Sequence, residues 1–193
     1  MIKALLIDAD GIVLKKRTEY FSDRLRADGY DFPKAKEQDF FKNIYPDIRI
    51  GKKDLKAELS KLLTDWHWDK PVDELLQYWF SRENQLDQEV IDALQKIRQQ
   101  GIAVYLASDH SQYRANDLWE NLGLKNYFDG HFFSCNLGTT KDQSDFYAKV
   151  LQSLQLQPIE VMLLDDESEN VAVAQNAGLN ARLYESIKQL KEI

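Results

Sequence analysis

The sequence predicts an α/β protein, a doubly wound parallel sheet whose first strand is followed by an inserted block of helices. Three observations carry this. Residues 4 to 14 form a short apolar run, Ala-Leu-Leu-Ile-Asp-Ala-Asp-Gly-Ile-Val-Leu, rich in branched residues and broken by a glycine. Residues 15 to 84 show helical spacing of apolar side chains and no convincing strand pattern. From about residue 87 helical and extended patterns alternate, as βαβ units do.

The opening run is short enough and branched enough for a buried strand, and it delivers Asp8 and Asp10 into a turn at Gly11. Side chains alternate along a strand, so the two acids would share a face if the strand continued. Two crowded carboxylates repel, and both stay ionised only when a cation or strong donors compensate. A reaction centre needs such an arrangement more often than a structural turn does.

After Lys15, Lys16 and Arg17 the helical block begins. Leu55, Leu59, Leu62 and Leu63 fall at helical spacing, as do Leu75, Leu76, Trp79 and Phe80, and Pro71 with Asp73 and Glu74 reads as a helix start. Residues 87 to 100 form an amphipathic helix carrying Val90, Ile91, Leu94 and Ile97, stopped by Gly101. A buried strand spans Ile102 to Ala107, followed by a helix through Tyr113, Leu118 and Leu122 that ends at Gly123. His131 to Ser134 is a weaker strand and Ser144 to Leu156 a helix. The apolar strand Val161 to Leu164 runs into Asp165 and Asp166; a helix ending near Gly178 and a short strand from Ala181 to Tyr184 complete the series. Residues 1–14 and 85–193 are therefore expected to form one α/β core, with residues 15–84 as a helical domain inserted beside the strand ends.

Composition narrows the function. The 193 residues can bury a sizeable core, and 44% apolar with 30% charged residues is ordinary for a globular protein. A net charge of −7 argues against nucleic acid or an anionic membrane as partner, yet leaves room for a small phosphorylated metabolite held by a local positive site. Cys135 is the only cysteine, which excludes an intramolecular disulfide and a zinc-thiolate cluster within one chain; it is expected to be a buried small hydrophobe. The N-terminal apolar stretch is too short for a signal peptide or a membrane span, so a cytoplasmic location is expected. Oligomeric state is not encoded in any readable pattern.

Four stations carry the chemistry. Strand ends deliver Asp8 with Asp10, Ser108 with Asp109, and Asp165 with Asp166, while Thr140 and Lys141 precede the helix that begins near Ser144. In a parallel sheet all four meet at one edge. A carboxylate at Asp8 can attack phosphorus, splitting one hard step into two. Asp10 can protonate the leaving alcohol and then deprotonate the attacking water. Asp166, with Asp165 behind it, can hold a divalent ion together with Asp8, and oxygen-only ligands favour magnesium over zinc. The Ser108 hydroxyl and the Lys141 ammonium suit the transferring phosphoryl oxygens.

These residues, in this order, resemble the haloacid dehalogenase (HAD) superfamily, and in particular its magnesium-dependent phosphatases. The first family motif is matched by Asp8, Asp10 and Gly11, the second by Ser108, and the third by Lys141. The fourth is matched by Asp165 and Asp166, followed by Asn170 and by Asn-Ala-Gly at 176 to 178. The resemblance spans essentially the whole chain. It implies a Rossmann-like core, and a small helical cap of the subfamily I type over residues 15–84. It also implies a short-cap branch that includes sugar-phosphate phosphatases. Magnesium would be held by Asp8, the main-chain carbonyl of Asp10, and Asp166, with Asp165 acting through a water. Ile12, Asp109 and Asp142 depart from the family pattern; Asp109 would repel phosphate unless its carboxylate turns away, and Asp142 is expected to pair with Lys141 at some expense to activity.

Simpler roles compete at several positions. Ser108 suits the N-cap of the following helix, and Asp165–Asp166 suits a helix start. Lys15, Lys16 and Arg17 are expected to be a solvated charge run, and Trp66, Trp68 and Trp79 to be helical core. His110, without a visible partner, is left outside the site. The leading expectation is hydrolysis of a small phosphomonoester, with a sugar phosphate as one candidate, through a phospho-aspartate on Asp8. The competing readings are a 2-haloacid dehalogenase, a phosphomutase, or a weakly active binding protein on the same fold.

Overall fold

Every residue of β1 (Ala4–Ile7) is apolar and buried, so the strand needs cover on both faces and a neighbour on each edge. A computed structural model, which describes residues 1–17 and 19–193, supplies both. With β2 (Ala103–Ser108), β3 (Gly130–Phe133), β4 (Val161–Asp165) and β5 (Asn180–Leu183), β1 forms a five-stranded sheet of order β3-β2-β1-β4-β5. All four pairings are parallel, and Ile7 lies level with both Leu106 and Leu164. The chain moves outward from β1 to β3 and then returns to the other side of β1. The strand order therefore reverses between β1 and β4, where an open sheet leaves a crevice at its carboxyl ends.

Helices cover both faces. Leu5, Ile7, Val104, Leu106 and Met162 join Val90, Ile91, Leu94 and Ile97 in one apolar cluster, while Leu6, Val161 and Leu163 join Phe146, Tyr147, Val150 and Ala174 in another. Between β1 and β2 come α1 (Phe21–Ala27), α2 (Lys34–Asn43), α3 (Tyr45–Arg49), α4 (Leu55–Ser60), α5 (Val72–Glu83) and α6 (Gln88–Gln99). The first five enclose a separate cluster dominated by Phe21, Phe32, Phe40, Trp66, Trp68, Trp79 and Phe80. After β2 follow α7 (Gln112–Asn116), α8 (Ser134–Leu137), α9 (Ser144–Leu154) and α10 (Ser168–Asn176). Among the described residues no helix is long and apolar enough to cross a membrane.

Several local expectations shift. β1 stops at Ile7, and the chain turns through Gly11 (φ +79°), so Asp8 and Asp10 do not sit on a continuing strand. Asp8 N–H still donates to Leu164 O (3.2 Å), and Asp10 instead bridges to Leu14. α4 ends at Ser60, leaving Leu62 and Leu63 in turns that pack against the helical core. The helix expected through Leu122 is α-helical only over α7, then widens into a π-helical turn at Asp117–Asn121. Ser134 opens α8 instead of closing β3, and its hydroxyl accepts from the His110 N–H and donates to Arg49 O. The two ends of the helical block lie side by side: Lys15 N–H donates to Gln85 O (2.8 Å) and Asp87 N–H to Val13 O (2.9 Å).

Candidate active site

The carboxyl edge of the sheet brings the four stations together. Asp8 sits one residue beyond β1, Ser108 ends β2, Asp165 ends β4, and Lys141 precedes α9. Asp8 is buried, and its Oδ1 accepts from Ser108 Oγ (2.7 Å) and from the Ala9 N–H (2.8 Å), with Lys141 Nζ 2.8 Å away. Its Oδ2 accepts no hydrogen bond from the described residues, which leaves one oxygen of the carboxylate for other chemistry.

Lys141 is buried between two acids, 2.7 Å from Asp165 Oδ2 as well as beside Asp8. Asp165 is wholly buried; its Oδ1 accepts from Asn170 Nδ2 (3.1 Å) and the Glu167 N–H (2.9 Å). Both Asp165 oxygens are therefore engaged within the protein. Asp166 is only half-buried and lies against Gly11, where a Cβ would come within 2.4 Å of its Oδ2. Only a glycine admits that approach at a positive φ.

Burial dominates the electrostatics. Desolvation pushes Asp8 up to about 7; Lys141 pulls it down, while Asp165 and Asp10 add repulsion. Burial would lower Lys141, but Asp8 and Asp165 hold its proton and raise it far above the ordinary lysine value. Burial also raises Asp10, yet the charges of His110, Arg17 and Arg114 outweigh it and hold Asp10 below the usual carboxylate range. His110 is itself lowered to about 4 by burial, so at neutral pH the arginines do that work.

The donor set fits a hard divalent cation. Asp8, Asp165 and Asp166 each bring a carboxylate oxygen within 4.8 Å of the others, and every donor is oxygen. The unengaged Asp8 Oδ2 and the Asp166 carboxylate, paired only with the exposed Lys16 at 3.7 Å, are the groups best placed to serve. A bound cation would offset both the burial that raises Asp8 and the repulsion that Asp165 and Asp10 add.

Other residues lie differently from expectation. Ser111, not Ser108, caps the helix after β2, its hydroxyl accepting from the Arg114 N–H (3.3 Å). Asp142 accepts from Thr140 Oγ1 and does not pair with Lys141, whose ammonium is held by Asp8 and Asp165. The Asp109 carboxylate turns onto the Lys141 N–H (3.2 and 3.3 Å), and burial raises it to about 6. Lys15 and Lys16 are exposed as a solvated run would be, Lys16 reaching 3.7 Å from Asp166, whereas Arg17 lies 3.4 Å from Asp10 Oδ2 and 3.0 Å from Glu83 Oε1. Trp66 and Trp68 are helical core, whereas Trp79 also lines the cavity; Cys135 is half-buried, its thiol raised by burial to about 11.

A cavity of about 1040 Å³ opens over this edge, closed on the far side by α1, α2, α3 and α5. Sequence reasoning left out Arg17, Tyr45, Arg49, Glu83, His110 and Arg114, all of which line it. Only the position of Arg17 next to the first station, and of His110 next to the second, offered a signal. The others come from segments with no local motif.

A family model described as haloacid dehalogenase-like hydrolase matches residues 2–178. The chain is 26% identical to a phosphorylated carbohydrates phosphatase of Thermotoga maritima, over 99% of this chain and 88% of that protein. It is 25% identical to an enolase-phosphatase E1 of a Sulfurihydrogenibium species, over 93% of this chain and 86% of that one. Its fold is similar to that of a HAD family enzyme from Bacteroides thetaiotaomicron crystallised with magnesium (TM-score 0.84, 20% identity, 100% of this chain and 99% of that chain). The same enzyme with magnesium and inorganic phosphate superposes with a TM-score of 0.83 at 21% identity, over 98% of this chain and 99% of that one.

Proposed function

The chain belongs to the haloacid dehalogenase-like hydrolase family, and from that premise we propose that it hydrolyses a small phosphomonoester through a phospho-aspartate on Asp8. The observation that carries the proposal is the convergence of Ser108 and Lys141 on one oxygen of Asp8, with the other oxygen unengaged beneath an open cavity. Phosphatases among its relatives, one of them acting by name on phosphorylated carbohydrates, support a sugar phosphate as one candidate class.

In this reading residues 15–84 act as a cap over a core of residues 1–14 and 85–193. Magnesium would be held by Asp8, Asp166 and the main-chain carbonyl of Asp10, where it supplies charge neutralisation and polarises a phosphoryl oxygen. Asp165 acts from behind, fixing Lys141. The Asp8 carboxylate attacks phosphorus; a P–O bond forms as the bond to the leaving oxygen breaks. Lys141 and Ser108 bind the equatorial oxygens where negative charge gathers. Asp10 gives a proton to the departing alkoxide. Arg17 favours the ionised form at rest, but the bound phosphate dianion repels Asp10 and raises its proton affinity, so that Asp10 takes up a proton from solvent as the substrate enters and holds it for the leaving group. Asp10, now ionised, takes a proton from water as that water attacks phosphorus, releasing phosphate and restoring Asp8.

Asp10 and the Asp165–Asp166 pair weigh against a metal-free dehalogenase. The test is phosphate release from a panel of phosphorylated metabolites, with magnesium or with EDTA. Release is expected only with magnesium and is expected to fall about 10³-fold or more in Asp8→Asn. Release that survives EDTA, or none from any compound, overturns the proposal.

A further inference from the structure

We infer that Arg49 is a specificity residue that takes a second anionic group, a carboxylate or a second phosphate, on the leaving portion of the substrate. The inference deepens the phosphatase reading and rests on it for the position of the first phosphate. α3 is short, but its spacing places Tyr45 and Arg49 one turn apart, and both side chains line the cavity. The other guanidinium and ammonium groups that line it near the strand ends each have an acid partner: Arg17 pairs with Asp10 and Glu83, Lys16 with Asp166, Lys141 with Asp8 and Asp165, and Arg114 with Asp117 through Nη1, its Nη2 being buried without a partner. The Arg49 guanidinium has no hydrogen bond or ion pair with any described residue, and its Nε is buried without a partner. A guanidinium loses its hydration on burial and regains that interaction best from a carboxylate or phosphate in a two-point contact.

The backbone beneath Arg49 is anchored to the sheet side of the cavity. Ser134 Oγ donates to Arg49 O (2.5 Å) and accepts from the His110 N–H (3.0 Å), which ties the end of α3 to the loop after β2. Two residues on, Gly51 has a positive φ of +75°, and a Cβ there would meet Cys135 O at 2.6 Å. The close seating of α3 on α8 therefore requires glycine and fixes where the guanidinium starts. The acid that feels its charge is Asp109, whose oxygens already accept from the Lys141 N–H. Tyr45 adds a neutral hydroxyl on the same side, since burial and the nearby Asp10 and Glu83 keep it protonated to about 12.

The test compares substrates that differ in one group. Glycerol phosphate and phosphoglycerate differ by an alcohol replaced with a carboxylate; a sugar monophosphate and its bisphosphate differ by a second phosphate. Wild-type kcat/KM is expected to favour the acidic member of at least one pair, and the pair that responds identifies the anion. Arg49→Met is expected to collapse that preference by about tenfold or more, mostly through KM, and Arg49→Lys to restore part of it. Calorimetric binding of the same compounds to Asp8→Asn needs no turnover and should show the same preference, lost when Arg49→Met is added. An absence of turnover with the binding preference intact overturns the phosphatase reading and leaves Arg49 as inferred. Equal losses on both members, or no preference in binding, overturn the role of Arg49.

Discussion

The sheet edge and the helical wall face each other across one cavity and hold their side chains by different means. At the edge, Asp8, Ser108, Lys141, Asp165 and Asn170 are buried and joined by short polar contacts, so each fixes the next. Across from them the wall is built from aromatic contacts such as Phe21 on Trp79 (5.2 Å) and Phe41 on Trp79 (5.6 Å), with Arg49 left unpartnered. On the proposed reading the difference separates two tasks. Reacting groups need fixed charge and direction, which buried pairing provides. Recognition of a leaving group needs shape and one or two charges, which aromatic packing can carry without a closed network.

If pairing fixes the edge, the largest effect follows from removing its central cation. Lys141→Met leaves Asp8 and Asp165 buried without their partner and is expected to cost about 3–5 kcal/mol in denaturant unfolding. Magnesium should recover part of that loss by answering the same charges. An unchanged midpoint would mean that the edge is not held electrostatically.

A smaller effect tests the contact between the Gly11 turn and Asp166. Gly11→Ala puts a Cβ where Asp166 Oδ2 lies, at a backbone angle that also strains alanine. Magnesium affinity measured by calorimetry should drop about tenfold, as for a displaced ligand support. Retained affinity would show that Asp166 has room to move.

The wall offers the smallest. Trp66 is buried in the helical core, and its Nε1 has no partner among the described residues. Trp66→Phe loses volume but also removes an unsatisfied donor, so thermal unfolding should register less than about 2 kcal/mol. Phosphate release should be unaffected, because Trp66 does not line the cavity. A loss as large as that of Lys141→Met would erase the contrast between the two walls.

The sequence by itself determined the alternation of strands and helices, the place of the helical insertion, and the stations at the strand ends. These depend on periodicity and on turn residues within a few positions, which local sterics and burial translate directly into structure. Gly11, Asp165–Asp166 and the apolar runs before them belong to that class. Only the tertiary structure decided the partnerships. Ser108 meets Asp8 from 100 positions away, Ser134 meets Arg49 from 85, and Arg17 meets Glu83 from 66. No local spacing encodes those distances. The reversals follow from the same competition: Lys141 and Ser108 are drawn to Asp8 across the fold, which leaves Asp142 to the nearby Thr140 and the helix cap to Ser111, while Arg17 alone of the basic run pairs with Asp10 and Glu83. Charge and residue type say what a side chain can do. Which group it does it with depends on where the fold brings distant segments together, and burial then makes those few pairings strong.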